Sequence, residues 1–275
     1  MSDKVAPLHG ITGVVHLPPM PGDPAYIQGG FDGVFEHAMR DADALAQGGV
    51  GAIIVENFGS APFPKGTSEQ RIPAHQTAFM ARVARAMVEK YGLPIGINCL
   101  RNDVLSALGI AAAVGASFVR VNVHTGAYVT DQGLIEGDAY HSLRYRSSLG
   151  AEKVSILADV LVKHAAPLAP VSPTDATKEC LQRGRANAVI VTGTGTGEPV
   201  SVPLLKEVSE AASQAGSVLI GSGFTPERAK ELCPYTDGAI VGSWLKKDGI
   251  LSNPIDETQV RELVSATQGL WRVQP

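Results

Sequence analysis

Eight short β-branched runs alternate with helical patterns along this chain, and that alternation restricts the fold more than any other feature. The strand candidates are 11–17, 52–56, 94–98, 118–123, 153–159, 188–192, 218–221 and 239–241. The clearest helical patterns between them are 31–47, 73–91, 104–114, 174–183, 203–215, 226–232 and 256–268. Strands separated by helices pair in parallel, because each crossover carries the chain back over a face of the sheet. Eight is also a strand count that closes into a barrel. The expected fold class is therefore α/β, a single (β/α)8 TIM barrel over residues 1–275, and the length is close to the roughly 250 residues such a barrel needs. A weak recurrence at every second strand agrees: Gly51-Ala52, Gly115-Ala116, Asn187-Ala188 and Gly238-Ala239 open strands two, four, six and eight.

Charge and cysteine usage narrow the partners. Net charge is -4 and no stretch is strongly basic, which argues against nucleic acid. The three cysteines, Cys99, Cys180 and Cys233, are widely spaced and form no zinc or CxxC pattern, as expected of a reduced, cytoplasmic protein. The first ten residues lack an apolar signal core, and no run approaches the roughly 18–20 apolar residues of an integral membrane segment. A homo-oligomer is expected.

The long irregular segments 18–30, 57–72 and 124–150 all follow strands, so a barrel places them on one face, where catalytic loops belong. The strand ends facing those loops are polar. Alternate residues of a barrel strand point inward. If Val119, Val121 and Val123 pack on helices, then Arg120, Asn122 and His124 face the interior, and a buried arginine needs a carboxylate or an anionic ligand. His16, Glu56 with Asn57, Asn98, Asp159 and Thr192 end other strands at matching heights. Such convergence points to a site. Glu56 and Asp159 are the candidate acid–base pair, His16 or His124 a proton shuttle, and Lys163 a Schiff-base or oxyanion-stabilising lysine. Asn57, Asn98, Arg120, Asn122, His124 and Thr192 are candidate substrate-binding residues. A divalent metal is a competing use of His16, Glu56, His124, Asp159 and His164, although no HExxH or HxH spacing supports it.

Two glycine-rich turns follow the last strands, Gly221-Ser222-Gly223 before Thr225-Pro226 and Gly242-Ser243 before Trp244. Thr225 and Pro226 suit an N-cap and a first helical position. Paired turns after strands seven and eight occupy the phosphate position of many barrels. The expected phosphate-binding set is Gly193, Gly221, Ser222, Gly223, Gly242 and Ser243. The run 192–197 is GxGxG rather than a dinucleotide fingerprint, and reads as a flexible loop beside that site.

Several motifs resemble the BtpA/SgcQ family. They are His16-Leu17-Pro18-Pro19-Met20-Pro21-Gly22-Asp23-Pro24, Glu56-Asn57-Phe58-Gly59, Gly96 through Asp103, Arg120-Val121-Asn122-Val123, Ala158 through Ala165, Thr192-Gly193 and Gly221-Ser222-Gly223. The resemblance runs from about residue 13 to 246. It implies a barrel related to the ribulose-phosphate-binding barrels. It also implies two associations: photosystem I biogenesis by a peripheral thylakoid protein, and sugar metabolism.

Two functions follow as expectations. One is an enzyme acting on a phosphorylated sugar or nucleoside-like molecule by acid–base chemistry, as lyase, isomerase or glycosidase. The other is an assembly or stability factor for a membrane complex, which uses the barrel as a scaffold and displays an apolar surface patch.

Overall fold

The computed structural model describes residues 8–162, 164–193 and 199–272. In chain order its strands are β1 (Gly10–His16), β2 (Ala52–Glu56), β3 (Ile95–Asn98), β4 (Phe118–Val121), β5 (Ala127–Thr130) and β6 (Gly133–Glu136). They continue with β7 (Ser155–Val160), β8 (Ala165–Pro167), β9 (Ala188–Val191), β10 (Ser217–Ile220) and β11 (Gly238–Val241). The helices are α1 (Gly30–Gly48), α2 (Ala74–Tyr91), α3 (Val104–Val114), α4 (Ala139–Ser148), α5 (Pro173–Lys178), α6 (Val202–Ala212), α7 (Ala229–Leu232) and α8 (Glu257–Thr267). Eight strands close into one parallel barrel in the order β1-β11-β10-β9-β7-β4-β3-β2. The expected TIM barrel is the fold of this chain.

Strand alternation divides the apolar residues into two cores. Val14, Ile54, Phe118, Leu157, Ile190, Leu219 and Ile240 pack together as one buried cluster, the filling of the barrel. Their sequence neighbours, among them Val15, Ile53, Val55, Val119, Ile156 and Val191, pack with the helices in a second, larger cluster. Each fully buried side chain of this size contributes about 1.5–3 kcal/mol. The barrel thus rests on many equivalent contacts, which leaves the strand ends available for polar residues.

Register sets which polar ends meet. Parallel pairing puts His16 beside Glu56 across β1 and β2. It puts Glu56 beside Asn98 across β2 and β3.

Three features depart from the expected pattern. The segment after β4 is not irregular: β5 and β6 form a hairpin, β8 adds to it, and the antiparallel sheet β6-β5-β8 stands apart from the barrel. Its inner face buries Tyr128 and Ile135 against Val123 and Val162. β4 stops at Val121 rather than at 123, so its alternation does not reach His124. Thr225 does occupy an N-cap position, but its side chain makes no capping bond, and the helix opens as a short 3-10 turn before α7.

Candidate active site

The polar strand ends form two connected groups. In the first, Asn98 Nδ2 donates to Glu56 Oε2 at 2.5 Å. The other oxygen, Oε1, lies 3.9 Å from His16 Nε2, beyond hydrogen-bonding distance. The His16 ring packs 4.9 Å from the Phe58 ring, centroid to centroid. On another side it touches Gly242, where a Cβ would sit 2.5 Å from His16 Cε1. A glycine at 242 is therefore a condition for the His16 position.

In the second group, Arg120 donates Nε and Nη2 to the two oxygens of Asp159, at 2.9 and 3.0 Å. Asn122 Nδ2 donates to Asp159 Oδ2 at 2.9 Å. Burial works to lower the Arg120 pKa. The Asp159 charge and hydrogen bonds, with Glu56 behind them, reverse this and raise it above the usual guanidinium value. Both Asp159 oxygens are engaged, so this carboxylate is a buried holder of Arg120 and Asn122.

Two adjoining cavities open over these groups. One, of about 250 Å3, is lined by His16, Glu56, Phe58, Arg120 and the two turns Gly221–Thr225 and Val241–Trp244. The other, of about 410 Å3, is lined by Glu56, Phe58, Asn98, Arg101, Arg120 and Asn122, together with Phe63, Leu100, Asp131 and His164. Glu56, Phe58 and Arg120 border both, which makes them lobes of one cleft.

The turns expected to hold phosphate lie together in the first lobe. Gly223 has φ +63°, a conformation that glycine adopts without steric cost. Gly242 leads into a 3-10 turn, Ser243–Leu245. Ser222 Oγ accepts the Gly193 N–H at 2.9 Å, which ties the end of the β9 loop to the β10 turn. Gly193 and Thr192 are buried beside this lobe but do not line it. Thr192 Oγ1 has no hydrogen-bond partner among the described residues.

Other candidates take different places. Asn57, the neighbour of Glu56, points away from the cleft. Its Oδ1 accepts the Leu100 N–H at 2.7 Å and its Nδ2 approaches Gln76 Oε1 at 3.4 Å, so it anchors the loop after β3. His124 Nε2 donates to the Gly184 carbonyl at 2.8 Å, and burial holds its pKa below the usual imidazole value. Lys163 and positions 194–197 of the GxGxG run lie outside the described residues. Among the described residues, no three His, Cys, Asp or Glu side chains converge to hold a metal ion.

Arg101 is a charged cleft residue that polar strand ends do not point to. It is buried in the second lobe. Burial lowers its pKa against the opposing charges of Asp159 and Asp131. Its neighbours explain its placement: Asn102 bonds the Val123 backbone in both directions, and Asp103 caps α3 while binding Arg71 and the Ile72 N–H. With Asn102 and Asp103 held outward, Arg101 is directed into the cleft. In the sequence, the run Arg101-Asn102-Asp103 marks this place as polar residues just past a strand end.

The family model described as the BtpA family matches residues 8–269. The chain belongs to the BtpA family. The photosystem I biogenesis protein BtpA of Synechocystis is 44% identical over 256 residues, with 93% of this chain and 87% of that protein covered. An uncharacterized protein of Pyrococcus furiosus is 43% identical over 266 residues, covering 96% of each. Among solved structures, thiamine phosphate pyrophosphorylase from Pyrococcus furiosus matches with a TM-score of 0.57 at 12% identity, over 95% of this chain and 96% of that one. At that identity the likeness shows the shared barrel and nothing finer. Among the described residues of this BtpA-family chain, no helix is long and apolar enough to cross a membrane.

Proposed function

We propose that this BtpA-family barrel is an enzyme whose cleft holds a phosphorylated sugar or nucleoside-like molecule, with the phosphate on the turns after β10 and β11. The observation that carries the reading is the shared border of the lobes. A ligand anchored at Gly221, Ser222, Gly223, Gly242 and Ser243 extends its body past Glu56 and Arg120. Glu56 is the proton acceptor in this proposal. Asn98 holds one of its oxygens, and the other, toward His16, is placed to take a proton from the substrate. His16 returns the proton or passes it on. Arg120, fixed by Asp159, neutralises negative charge that develops on a substrate oxygen. Lys163 follows β7 in sequence and is a further proposed contributor. Lyase, isomerase and glycosyl-bond chemistry all use these parts.

The test is mass spectrometry of small molecules carried through native purification by the wild-type protein and by Glu56→Gln. A phosphorylated, unconverted compound enriched on the variant supports the reading. Equal turnover of that compound by both proteins contradicts it.

A second reading, an assembly factor for a membrane complex, draws on one specific observation. Val129, Leu134 and Leu168 are 49%, 41% and 61% exposed. Val129 pairs with Leu134 and Ala166 across the β6-β5-β8 sheet, so these apolar residues share its outer face. Recovery of photosystem I content when this chain is expressed in Synechocystis lacking BtpA supports that reading, and loss of the effect in Val129→Ser/Leu134→Ser assigns it to this face.

A further inference from the structure

Residues 17–24, which follow β1, are not among those that line either lobe of the cleft. They nevertheless carry a carboxylate with both oxygens engaged. Asp23 Oδ2 accepts from the Met20 N–H and from the Ser60 hydroxyl, each at 2.6 Å. Asp23 Oδ1 accepts from Gln76 Nε2 at 2.8 Å. Gln76 Oε1 in turn accepts from Asn57 Nδ2 at 3.4 Å, and Asn57 Oδ1 accepts from the Leu100 N–H at 2.7 Å. Gln76, Asn57 and Leu100 are all buried. A relay of hydrogen bonds therefore runs from the loop after β1, through the first turn of α2 and the end of β2, to the loop after β3.

The two ends of the relay dictate its direction. A carboxylate only accepts and a backbone N–H only donates, while each amide between them has one side of each kind. Turning either amide round would set two donors or two acceptors face to face. The far end lies in the cleft wall, because Leu100 and Arg101 line the second lobe. The near end holds Ser60, in the short turn Phe58–Ser60, whose Phe58 borders both lobes.

We infer that Asp23 is a positioning residue for the cleft: its carboxylate sets the direction of the hydrogen bonds through Gln76 and Asn57, and that direction holds Leu100 and Arg101 in the wall of the second lobe. Its bearing on function rests on the reading that this cleft holds the ligand. In Asp23→Asn the added NH2 meets either the Met20 N–H or Gln76 Nε2. Gln76 can turn, but the conflict then passes to Asn57 and from there to the Leu100 N–H, which cannot turn. Asp23→Asn combined with Asn57→Asp puts the carboxylate at the other end. Gln76 then turns, the relay is satisfied in reverse at unchanged net charge, and only the 3.5 Å contact from Asn57 Nδ2 to the Leu100 carbonyl is given up.

The experiment is backbone amide hydrogen exchange of the full chain, read by NMR at Leu100 and Arg101, beside chemical denaturation and titration with inorganic phosphate. The Leu100 amide of the wild type should be protected, and an unprotected one overturns the inference even if no variant folds. Asp23→Asn should exchange at least about tenfold faster at Leu100, with phosphate affinity unchanged. The double variant should restore slow exchange at Leu100 and raise the denaturation midpoint above that of Asp23→Asn, a rescue that a merely structural loss at Asp23 does not give. Unchanged exchange in Asp23→Asn, or a double variant no better than Asp23→Asn, overturns the relay. Loss of phosphate affinity in a folded Asp23→Asn overturns the confinement of its effect to the second lobe. A wild type that shows the predicted exchange but binds no phosphate overturns the proposed function and supports the relay.

Discussion

Arg120 on β4 and Asp159 on β7 form a two-pronged ion pair across neighbouring strands, at 2.9 and 3.0 Å, with almost no access to water. Two charges placed in a barrel mouth are costly unless each satisfies the other. Here the carboxylate also takes the Asn122 amide, so one acidic side chain orients two groups that border the cleft.

Removing the charge from one member should therefore be expensive. Asp159→Asn is expected to destabilise the protein by about 3–5 kcal/mol, the range for breaking a buried pair, as read by chemical denaturation. Arg120→Met combined with Asp159→Leu should recover much of that loss while abolishing ligand binding. Separating stability from binding in this way shows that the pair is kept for the cleft.

Glu56→Gln keeps the shape of the side chain and removes its capacity to take a proton. Turnover of the compound carried by the wild-type protein should fall about 10²–10⁴-fold, with inorganic phosphate affinity unchanged. Steady-state kinetics alongside phosphate titration reads both quantities.

Gly242→Ala tests the link between the proposed phosphate turn and His16. The added Cβ falls 2.5 Å from His16 Cε1, so the ring or the turn must shift. Phosphate affinity is expected to weaken by about tenfold, a change of about 1.4 kcal/mol, measured by calorimetric titration. Gly249→Ala, at the edge of the same lobe with nothing near its hypothetical Cβ but a φ of +69°, should alter stability more than affinity.

Outside the cleft, Lys246 is fully buried against Asp41, which also accepts the Ile255 N–H and lies 3.3 Å from His37 Nε2. Burial raises the Asp41 pKa, but the hydrogen bonds and charges of His37 and Lys246 outweigh it and hold the pKa at about 2. A carboxylate with a depressed folded pKa stabilises the protein above its ordinary value of 3.8, and that stability is lost as pH falls toward 2. The loss over that window should be about 2 kcal/mol. Asp41→Asn should flatten the acid limb of a stability–pH curve measured from pH 6 to about pH 2.

The barrel was legible because its strands are apolar runs bounded by turns, and buried strands can hardly be otherwise. The added sheet was not. β5 and β6 have four residues each and β8 three, one of them proline, and only Tyr128 and Ile135 among them are well buried. The α4 helix is illegible for a similar reason: it buries only Ser142, so it carries no apolar stripe. Within the site, Glu56 and Asp159 were visible as polar ends of buried strands. Asn57 follows Glu56 directly, successive strand residues point to opposite sides, and the structure turns Asn57 toward Gln76 and Leu100 instead of the cleft. Alternation carried past Val121 predicts an inward His124, but β4 ends at Val121 and the rule no longer holds there. Arg101 lies beyond its strand, where alternation says nothing, and the anchoring of Asn102 and Asp103 away from the cleft helps to aim it.

In the proposed function, the turns after β10 and β11 bind phosphate. Thermal unfolding of the wild-type protein across a phosphate titration, at constant ionic strength, tests it directly. Binding to the native state predicts a midpoint that climbs with the logarithm of phosphate concentration once the site begins to fill. A midpoint that tracks a matched chloride series at every concentration contradicts phosphate binding at these turns.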